Sequence, residues 1–205
     1  MSLDVFLFAS WIGGVAFALS GFLIGVRKEL DLMGVFTLSF LTANGGGVLR
    51  DVLIGRTPYA LTDMTGFIIV VLMFGVGYLL CRFKYSTLER RSLFVLSDSI
   101  GLVAFSITGA IAGIDAGLSV FGVMLLSFIT ATGGGVLRDI LVNEVPAVFK
   151  SDFYGSIAIL VALVLYGLDV MEMSSEVNFL IVFAVFLVMR LVAYKMRWHL
   201  PRLKF

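Results

Sequence analysis

Apolar residues along this chain fall into seven runs, separated by short segments that carry most of the charged residues. A helix that crosses a bilayer needs about 20 consecutive apolar residues. Each run is long enough, or nearly long enough, to meet that need. The pattern therefore predicts seven membrane-spanning helices, at Val5–Val26, Leu32–Ile54, Leu61–Leu80, Leu93–Ile114, Leu118–Val142, Phe153–Leu168 and Val177–Val192.

Composition supports a lipid environment and excludes several classes of protein. Of the 205 residues, 60% are hydrophobic and 14% are charged, whereas a soluble domain needs a largely polar surface. The net charge of +1 leaves no broad basic face for nucleic acid. One cysteine, Cys81, and one histidine, His199, offer little for a disulfide or a zinc site. We predict an all-α integral membrane protein without a cofactor or a fixed structural metal.

Lysine and arginine are distributed unequally between alternate connections, with Arg50 and Arg138 set aside because they fall near membrane depth. The N-terminus and the connections after predicted spans 2, 4 and 6 hold only Arg56. By the positive-inside rule, we expect an inner (plasma) membrane protein with its N-terminus outside and its C-terminus in the cytoplasm. The other set holds Arg27, Lys28, Arg82, Lys84, Arg90, Arg91, Lys150, Arg190, Lys195, Arg197, Arg202 and Lys204.

The chain contains an internal repeat. Residues 39–58 and 127–146 are identical at thirteen of twenty positions, with a constant offset of 88. The offset continues on both sides, so we expect a single membrane domain over 1–205. Its parts are repeat 1 at 5–82, repeat 2 at 93–170, and a seventh helix without a repeat mate at 177–197.

Each repeat holds three spans, which is an odd number of crossings. Repeat 2 must then enter the bilayer from the side opposite to repeat 1. Repeats inverted about an axis in the membrane plane are typical of transporters and related channels, whose sites lie at the repeat interface near the midplane.

Three consecutive glycines lie in the second span (Gly45, Gly46, Gly47) and again in the fifth (Gly133, Gly134, Gly135). Each glycine costs roughly 1 kcal/mol relative to alanine in a helix, so a triplet is expected to bend or open the helix. Freed carbonyls in a membrane must line water or find protein partners. We therefore favour a polar path whose carbonyls are available to a cation, over the alternative of close helix packing through small residues.

An arginine and an aspartate follow each triplet, Arg50-Asp51 and Arg138-Asp139. Neighbours in sequence do not face each other on a helix. Inversion would allow Arg50 to meet Asp139 and Arg138 to meet Asp51, which reduces the cost of burying four charges. The alternatives are structural ion pairs or arginines within the water-filled path.

Further polar and aromatic positions could line such a path. Hydroxyls inside membrane helices often donate to a carbonyl one turn earlier, and a matched pair of rings could form a constriction. Asp98, near the start of the fourth span, is expected to cap that helix in preference to facing a vestibule. The hydroxyl residues are Ser20, Thr42, Ser106, Thr108 and Thr130, and the matched rings are Phe17 and Phe105.

The duplicated three-helix unit with a GGGVLRD motif in each copy, followed by a seventh helix, resembles the prokaryotic trimeric intracellular cation (TRIC) channel family. The same bacterial group has been described as glycine transporters. The resemblance covers residues from about 8 to 197. It implies a homotrimer in the lipid bilayer, one pore per protomer lined by helices kinked at the glycine triplets, and passage of potassium with modest preference over sodium.

Two functions from different classes remain open from the sequence. The leading one is a potassium-permeable channel, and the alternative is a small-solute transporter or facilitator, with glycine as the substrate that the family suggests. An enzyme is not expected, because the chain has no HExxH motif and no Ser-His or Cys-His candidates.

Overall fold

The computed structural model describes residues 3–82, 87–150, 153–196 and 198. Lys84, Arg197, His199, Arg202 and Lys204, used in the charge and composition arguments, lie outside these residues. Seven of the helices in the described part are long, and two, α3 and α7, have one turn each. They are α1 (Leu3–Arg27), α2 (Leu32–Leu53), α3 (Tyr59–Thr62), α4 (Thr65–Arg82), α5 (Thr87–Asp115), α6 (Val120–Leu141), α7 (Ala147–Lys150), α8 (Gly155–Val170) and α9 (Glu176–Lys195).

All seven predicted spans are helices, and the fold is all-helical over the described residues. In the part of the chain that the structure describes, six helices are long and apolar enough to cross a membrane, while α8, with 16 residues, is shorter. Two starts differ from prediction. The third span begins at Thr65 because the one-turn α3 precedes it, and α5 begins at Thr87 because its first turn is polar and escapes a hydropathy pattern.

The connections repeat as closely as the helices do. Asp31 accepts a hydrogen bond from the Gly34 amide at the start of α2 (2.7 Å), and Ser119, 88 residues later, accepts from the Gly122 amide at the start of α6. These side chains satisfy an amide that has no partner within its own helix.

Small residues bring the helices of each repeat into contact. A Cβ at Gly21 would stand 2.8 Å from the Ser39 Cα, and one at Gly109 would stand 2.7 Å from the Ser127 Cα. Gly25 and Gly113 likewise lie against α2 and α6. Gly21 and Gly25 in the first repeat, and Gly109 and Gly113 in the second, are therefore helix contacts within the chain.

Helices α1 and α5 cross at the centre through reciprocal contacts. A Cβ at Gly13 would meet the Phe105 ring, and one at Gly101 would meet the Phe17 ring. These four positions are two pairs at the 88-residue offset. Residue numbers rise along one helix as they fall along the other, so α1 and α5 run antiparallel.

Arg190 corrects the charge count made from the sequence. The sequence prediction counts it among the charges of the connections and the C-terminal tail, but it lies within α9 and is buried (4% exposed). Its guanidinium covers the ring of Tyr154, with 4.8 Å from Cζ to the centroid. Removing it from the tail leaves the inequality between the two sets of connections in place.

Candidate functional site

Two repeat-matched arginines organise the polar interior, and Arg138 is the more deeply buried (0% exposed). Its Nη1 donates to Asp98 Oδ1 (2.7 Å) and to Ser20 Oγ (2.8 Å). Its Nε donates to Asp139 Oδ1 (2.9 Å). Two carboxylates and a hydroxyl thus surround one guanidinium, which offsets much of the cost of its burial.

Aromatic residues complete the Arg138 site. Cζ of Arg138 lies 4.9 Å from the centroid of Phe94, a favourable cation–π distance. A Cβ at Gly135 would stand 3.3 Å from Tyr154 Oη and 3.7 Å from Arg138 Nη2, so the tyrosine hydroxyl lies beside the arginine. Arg190 Cζ lies 4.8 Å from the centroid of the Tyr154 ring, so a second positive charge lies next to that ring.

The Arg50 site has the same framework with fewer partners. Nε and Nη2 of Arg50 each lie 2.8 Å from Asp51 Oδ1. Cζ of Arg50 lies 4.9 Å from the centroid of Phe6, and Phe6 precedes Phe94 by 88 positions. The second oxygen of Asp51 accepts a hydrogen bond from the Tyr59 amide at the start of α3 (3.0 Å).

The predicted crossed pairs are wrong: each arginine binds the aspartate that follows it in its own repeat. The rule that sequence neighbours on a helix do not face each other applies to the side-chain atoms nearest the backbone. A long arginine side chain can still bend back to bring Nε to the next residue. Each aspartate also holds the amide of a one-turn helix, Tyr59 in α3 or Ala147 in α7, which fixes it beside its arginine.

Asp98 does not cap a helix, contrary to the sequence prediction. Helix α5 begins eleven residues earlier, at Thr87, so Asp98 lies in its interior. Its carboxylate is buried and committed to Arg138. A hydropathy pattern that starts the helix at Leu93 makes this aspartate seem terminal.

Both glycine triplets are α-helical throughout, so neither opens its helix in this structure. A Cβ at Gly46 would collide with the carbonyl oxygen of Thr130, and one at Gly134 would collide with that of Thr42. Helices α2 and α6 therefore cross in close contact at the glycines, as in the packing alternative. That each triplet bends its helix, α2 or α6, without interrupting it stays a prediction.

The third glycine of each triplet has a different neighbour. A Cβ at Gly47 would have only Arg50 Nη2 nearby, at 3.9 Å, and Gly135 faces Arg138 Nη2 and Tyr154. These positions lie one turn before the arginines and leave room for the guanidinium groups.

The hydroxyls predicted to back-bond do so. Thr42, Ser106 and Thr130 donate to the carbonyl four residues earlier, and Ser20 and Thr108 to the carbonyl three residues earlier, at 2.6 to 3.3 Å. Ser20 also joins the Arg138 site as an acceptor. Every one of these hydroxyls is buried.

Phe17 and Phe105 meet edge to face where α1 crosses α5, with ring centroids 5.2 Å apart. Both rings are buried. The matched pair predicted from the sequence is thus in contact, and it separates the Arg50 end of α1 from the Arg138 end.

A cavity of about 70 Å³ lies beside Arg50. The atoms that line it come from α1, α2, α3 and α4 and from Phe105. Polar lining is supplied by Ser10, Asn44, Arg50, Asp51 and Thr65.

Sequence reasoning missed four residues of these sites: Phe6, Phe94, Tyr154 and Arg190. The first two carry a usable signal, since they are aromatic residues at the 88-residue offset. Arg190 carries another, as an ionisable residue within an apolar span. Tyr154 has no such signal, because its mate is Gly66.

Known proteins resemble this chain over most of its length. A family model described as Glycine transporter matches residues 7–82 and 95–169. A Bacillus subtilis protein, the UPF0126 membrane protein YvgT, is 33% identical over 197 residues, which cover 96% of this chain and 95% of that one. A UPF0126 membrane protein of Deinococcus radiodurans is 43% identical over 145 residues, 67% of this chain and 63% of that protein's length.

Solved structures agree. A prokaryotic TRIC channel crystallised in 0.5 M KCl superposes with a TM-score of 0.88 at 30% identity, covering 97% of this chain and all of that one. The TRIC trimeric intracellular cation channel orthologue from Rhodobacter sphaeroides superposes with a TM-score of 0.83 at 29% identity, covering 95% and 99%. The chain belongs to the prokaryotic TRIC channel family. The resemblance recognised from the twin GGGVLRD motifs is thereby confirmed.

Membership of the TRIC family bears on two further predictions. The relatives of this chain are described as membrane proteins, which confirms the predicted membrane location. The solved structures that it resembles are channels, which confirms the prediction that this TRIC member is not an enzyme.

Proposed function

We propose that this protein is a channel for monovalent cations, permeable to potassium and sodium. The observation that carries the proposal is the full-length superposition on a prokaryotic TRIC channel with a TM-score of 0.88. The alternative of a small-solute facilitator has in its favour only the description of the family model as Glycine transporter.

The architecture we propose is seven spans, with repeat 1 at 5–82 inverted relative to repeat 2 at 93–170 and a seventh helix at 177–197. Reciprocal contacts support it. Gly13 meets Phe105 as Gly101 meets Phe17, and α1 and α5 run antiparallel. The Arg50 site lies near the start of α1, whereas Arg138 contacts Ser20 near its end. A two-fold axis across the helices relates the two sets.

The orientation we propose has the N-terminus outside and the C-terminus in the cytoplasm of the plasma membrane. The charge inequality supports it. The Arg50 cavity then lies toward the outside and the Arg138 cluster toward the cytoplasm. A cysteine placed at Ser2 should react with an impermeant label in intact cells, and one placed at Lys204 should not. The reverse pattern would overturn the orientation.

The ion path we propose runs beside the crossing of α2 and α6, because the glycines leave no room for an ion between them. The hydroxyls along it donate their hydrogens to helix carbonyls, so their oxygen lone pairs remain available to a cation. The Phe17–Phe105 contact closes the path in this conformation, and conduction requires the rings to separate.

Current recorded from purified protein in planar bilayers tests the proposal. We expect potassium and sodium currents with modest selectivity, and no uptake of labelled glycine by liposomes that contain the protein. Replacement of both path threonines, Thr42→Val and Thr130→Val, should lower conductance several-fold while Thr57→Val, in an exposed loop, leaves it unchanged. Glycine uptake without cation current would establish the facilitator instead.

A homotrimer is the expected assembly. Its support is the trimeric description of the Rhodobacter sphaeroides orthologue. Light scattering of the purified protein in detergent, corrected for the micelle, gives its mass directly. A monomer under conditions that retain current would remove the trimer from the proposal.

A further inference from the structure

The repeat offset allows the Arg50 and Arg138 sites to be compared position by position. Asp98, which binds Arg138, corresponds to Ser10, and Tyr154 corresponds to Gly66. Both exchanges replace a larger side chain with a smaller one on the Arg50 side. The cavity of about 70 Å³ is lined by these two small residues, Ser10 and Gly66, as well as by Arg50.

The polar groups that face this cavity have unused bonding capacity. Ser10 Oγ is buried and makes no hydrogen bond to any residue that the structure describes. Arg50 is bound to Asp51 through Nε and Nη2. Within residues 3–82, 87–150, 153–196 and 198, its Nη1 has no counterpart of the bonds that Arg138 Nη1 makes to Asp98 and Ser20. Serine and guanidinium donors together suit an anionic acceptor.

We propose that the cavity beside Arg50 binds a small monovalent anion, a halide or a short carboxylate, in the position that the Asp98 carboxylate holds beside Arg138. The proposal concerns this cavity alone and does not depend on cation conduction.

Charge and size both fit such a ligand. At the Arg138 site, a second cation, Arg190, lies over the ring of Tyr154. Beside Arg50, the exposed Arg56 lies within electrostatic range and adds a second positive charge. A water needs about 10–15 Å³ of such a cavity, so about 70 Å³ admits a chloride or a formate and excludes a sugar acid. Trp11 and Tyr59 in the lining are exposed, which gives the ligand an entrance.

Thermal unfolding of the full-length protein in detergent tests the site without any measurement of transport. Sodium chloride and sodium formate are titrated against sodium gluconate at constant ionic strength, since gluconate is too large for the cavity. At ten times its Kd, a bound anion should raise Tm by about 3 to 6 °C. A rise in Tm with chloride, with formate or with both supports the site and shows whether it binds a halide, a short carboxylate or either. No shift relative to gluconate with either anion overturns the proposal.

Two substitutions locate the effect. Ser10→Asp supplies an internal carboxylate as in repeat 2, and Ser10→Met fills the cavity with an uncharged side chain if the aspartate variant does not fold. Each should abolish the anion-dependent shift. Arg27→Gln, which removes an exposed arginine that contacts Glu144, should retain it. A shift of the same size in the Ser10 variants would place anion binding elsewhere and overturn the proposal.

Because gluconate is the reference anion, potassium gluconate currents report conduction separately. Absence of an anion shift with normal potassium current would reject the anion site and leave the channel intact. An anion-dependent shift in Tm without potassium current would support the anion site and reject the channel.

Discussion

The Arg50 and Arg138 sites share a framework and differ in what fills it. In each, an arginine binds the next aspartate, covers a phenylalanine, and follows a glycine triplet. Around Arg138 the framework is filled by Asp98 and Tyr154, whereas around Arg50 it encloses a cavity. The Arg138 guanidinium is thus neutralised by neighbouring side chains, whereas the Arg50 guanidinium, which is also buried, lines a cavity.

The seventh helix contributes to this difference. Helix α9 has no repeat mate, and its buried Arg190 contacts Tyr154 of the Arg138 site. A carboxylate such as Asp98 is easier to bury beside two arginines than beside one. We infer that α9 makes the second repeat tolerant of Asp98, while the first repeat holds serine at that position.

Breaking the Asp98–Arg138 pair should have the largest effect. Asp98→Asn leaves a fully buried guanidinium with one carboxylate fewer, which should lower the free energy of unfolding by about 3–5 kcal/mol. The matched change Ser10→Ala removes a hydroxyl without a partner in the described residues, and should stay within about 0.5 kcal/mol. Unfolding midpoints in detergent compare the two, and equal losses would mean that the two sites do not differ in this way.

Much of the fold could be predicted from the sequence because lipid imposes a simple rule. A helix that faces hydrocarbon must be apolar for about 20 residues, so hydropathy locates the helices, and an offset of 88 relates their contacts. What hydropathy missed were polar extensions, such as the first turn of α5 at Thr87, and the one-turn helices that the two aspartates hold.

The site was harder to predict because its partners are set by reach and by close packing. The sequence marks Arg50, Arg138 and their aspartates as important, yet it does not show that Nε bends back to the neighbour. It also does not show whether a glycine triplet opens a helix or accepts another helix. The carbonyls of Thr42 and Thr130, which lie against the glycines, decide that question in favour of contact.

The middle glycines should have the next largest effect. Gly46→Ala and Gly134→Ala each place a methyl group against a backbone carbonyl that cannot turn away, which should destabilise the protein by about 1–3 kcal/mol. A leucine there should cost more, so loss of current in Gly46→Leu would not by itself indicate a blocked pore.

Gly47→Ala is the control for the middle glycines, because its Cβ would lie 3.9 Å from the nearest atom, Arg50 Nη2. Alanine is the better helix former by up to about 1 kcal/mol, so this variant should be neutral or slightly more stable. The same unfolding assay ranks all three variants. A loss at Gly47 as large as at Gly46 would contradict the assignment of the helix crossing to the middle glycines.

The smallest effect is expected at the ends of the repeats, where Glu144 corresponds to Arg56. Glu144 binds Lys28 Nζ (2.8 Å) and Arg27 Nη2 (2.9 Å), and the hydrogen bond from Lys28, followed by the Arg27 contact, lowers its pKa below the ordinary 4.5.

A carboxylate with a lowered pKa in the folded state contributes stability that is complete above its unfolded pKa and is lost as the pH falls through the folded one. Because all three side chains are partly exposed, the contribution should be about 0.2–1 kcal/mol and should shrink in high salt.

Unfolding midpoints measured from pH 7 to pH 3 test this contribution. At pH values below 4.5, the midpoint of the wild type should decrease more than that of Glu144→Gln, whose amide does not titrate. The Arg56→Gln variant, altered at the matched position of the first repeat, should keep the wild-type pH profile. If Glu144→Gln followed the wild-type profile as well, the ion pairs that join Arg27 and Lys28 to the second repeat would contribute nothing to stability, and the two ends would be equivalent.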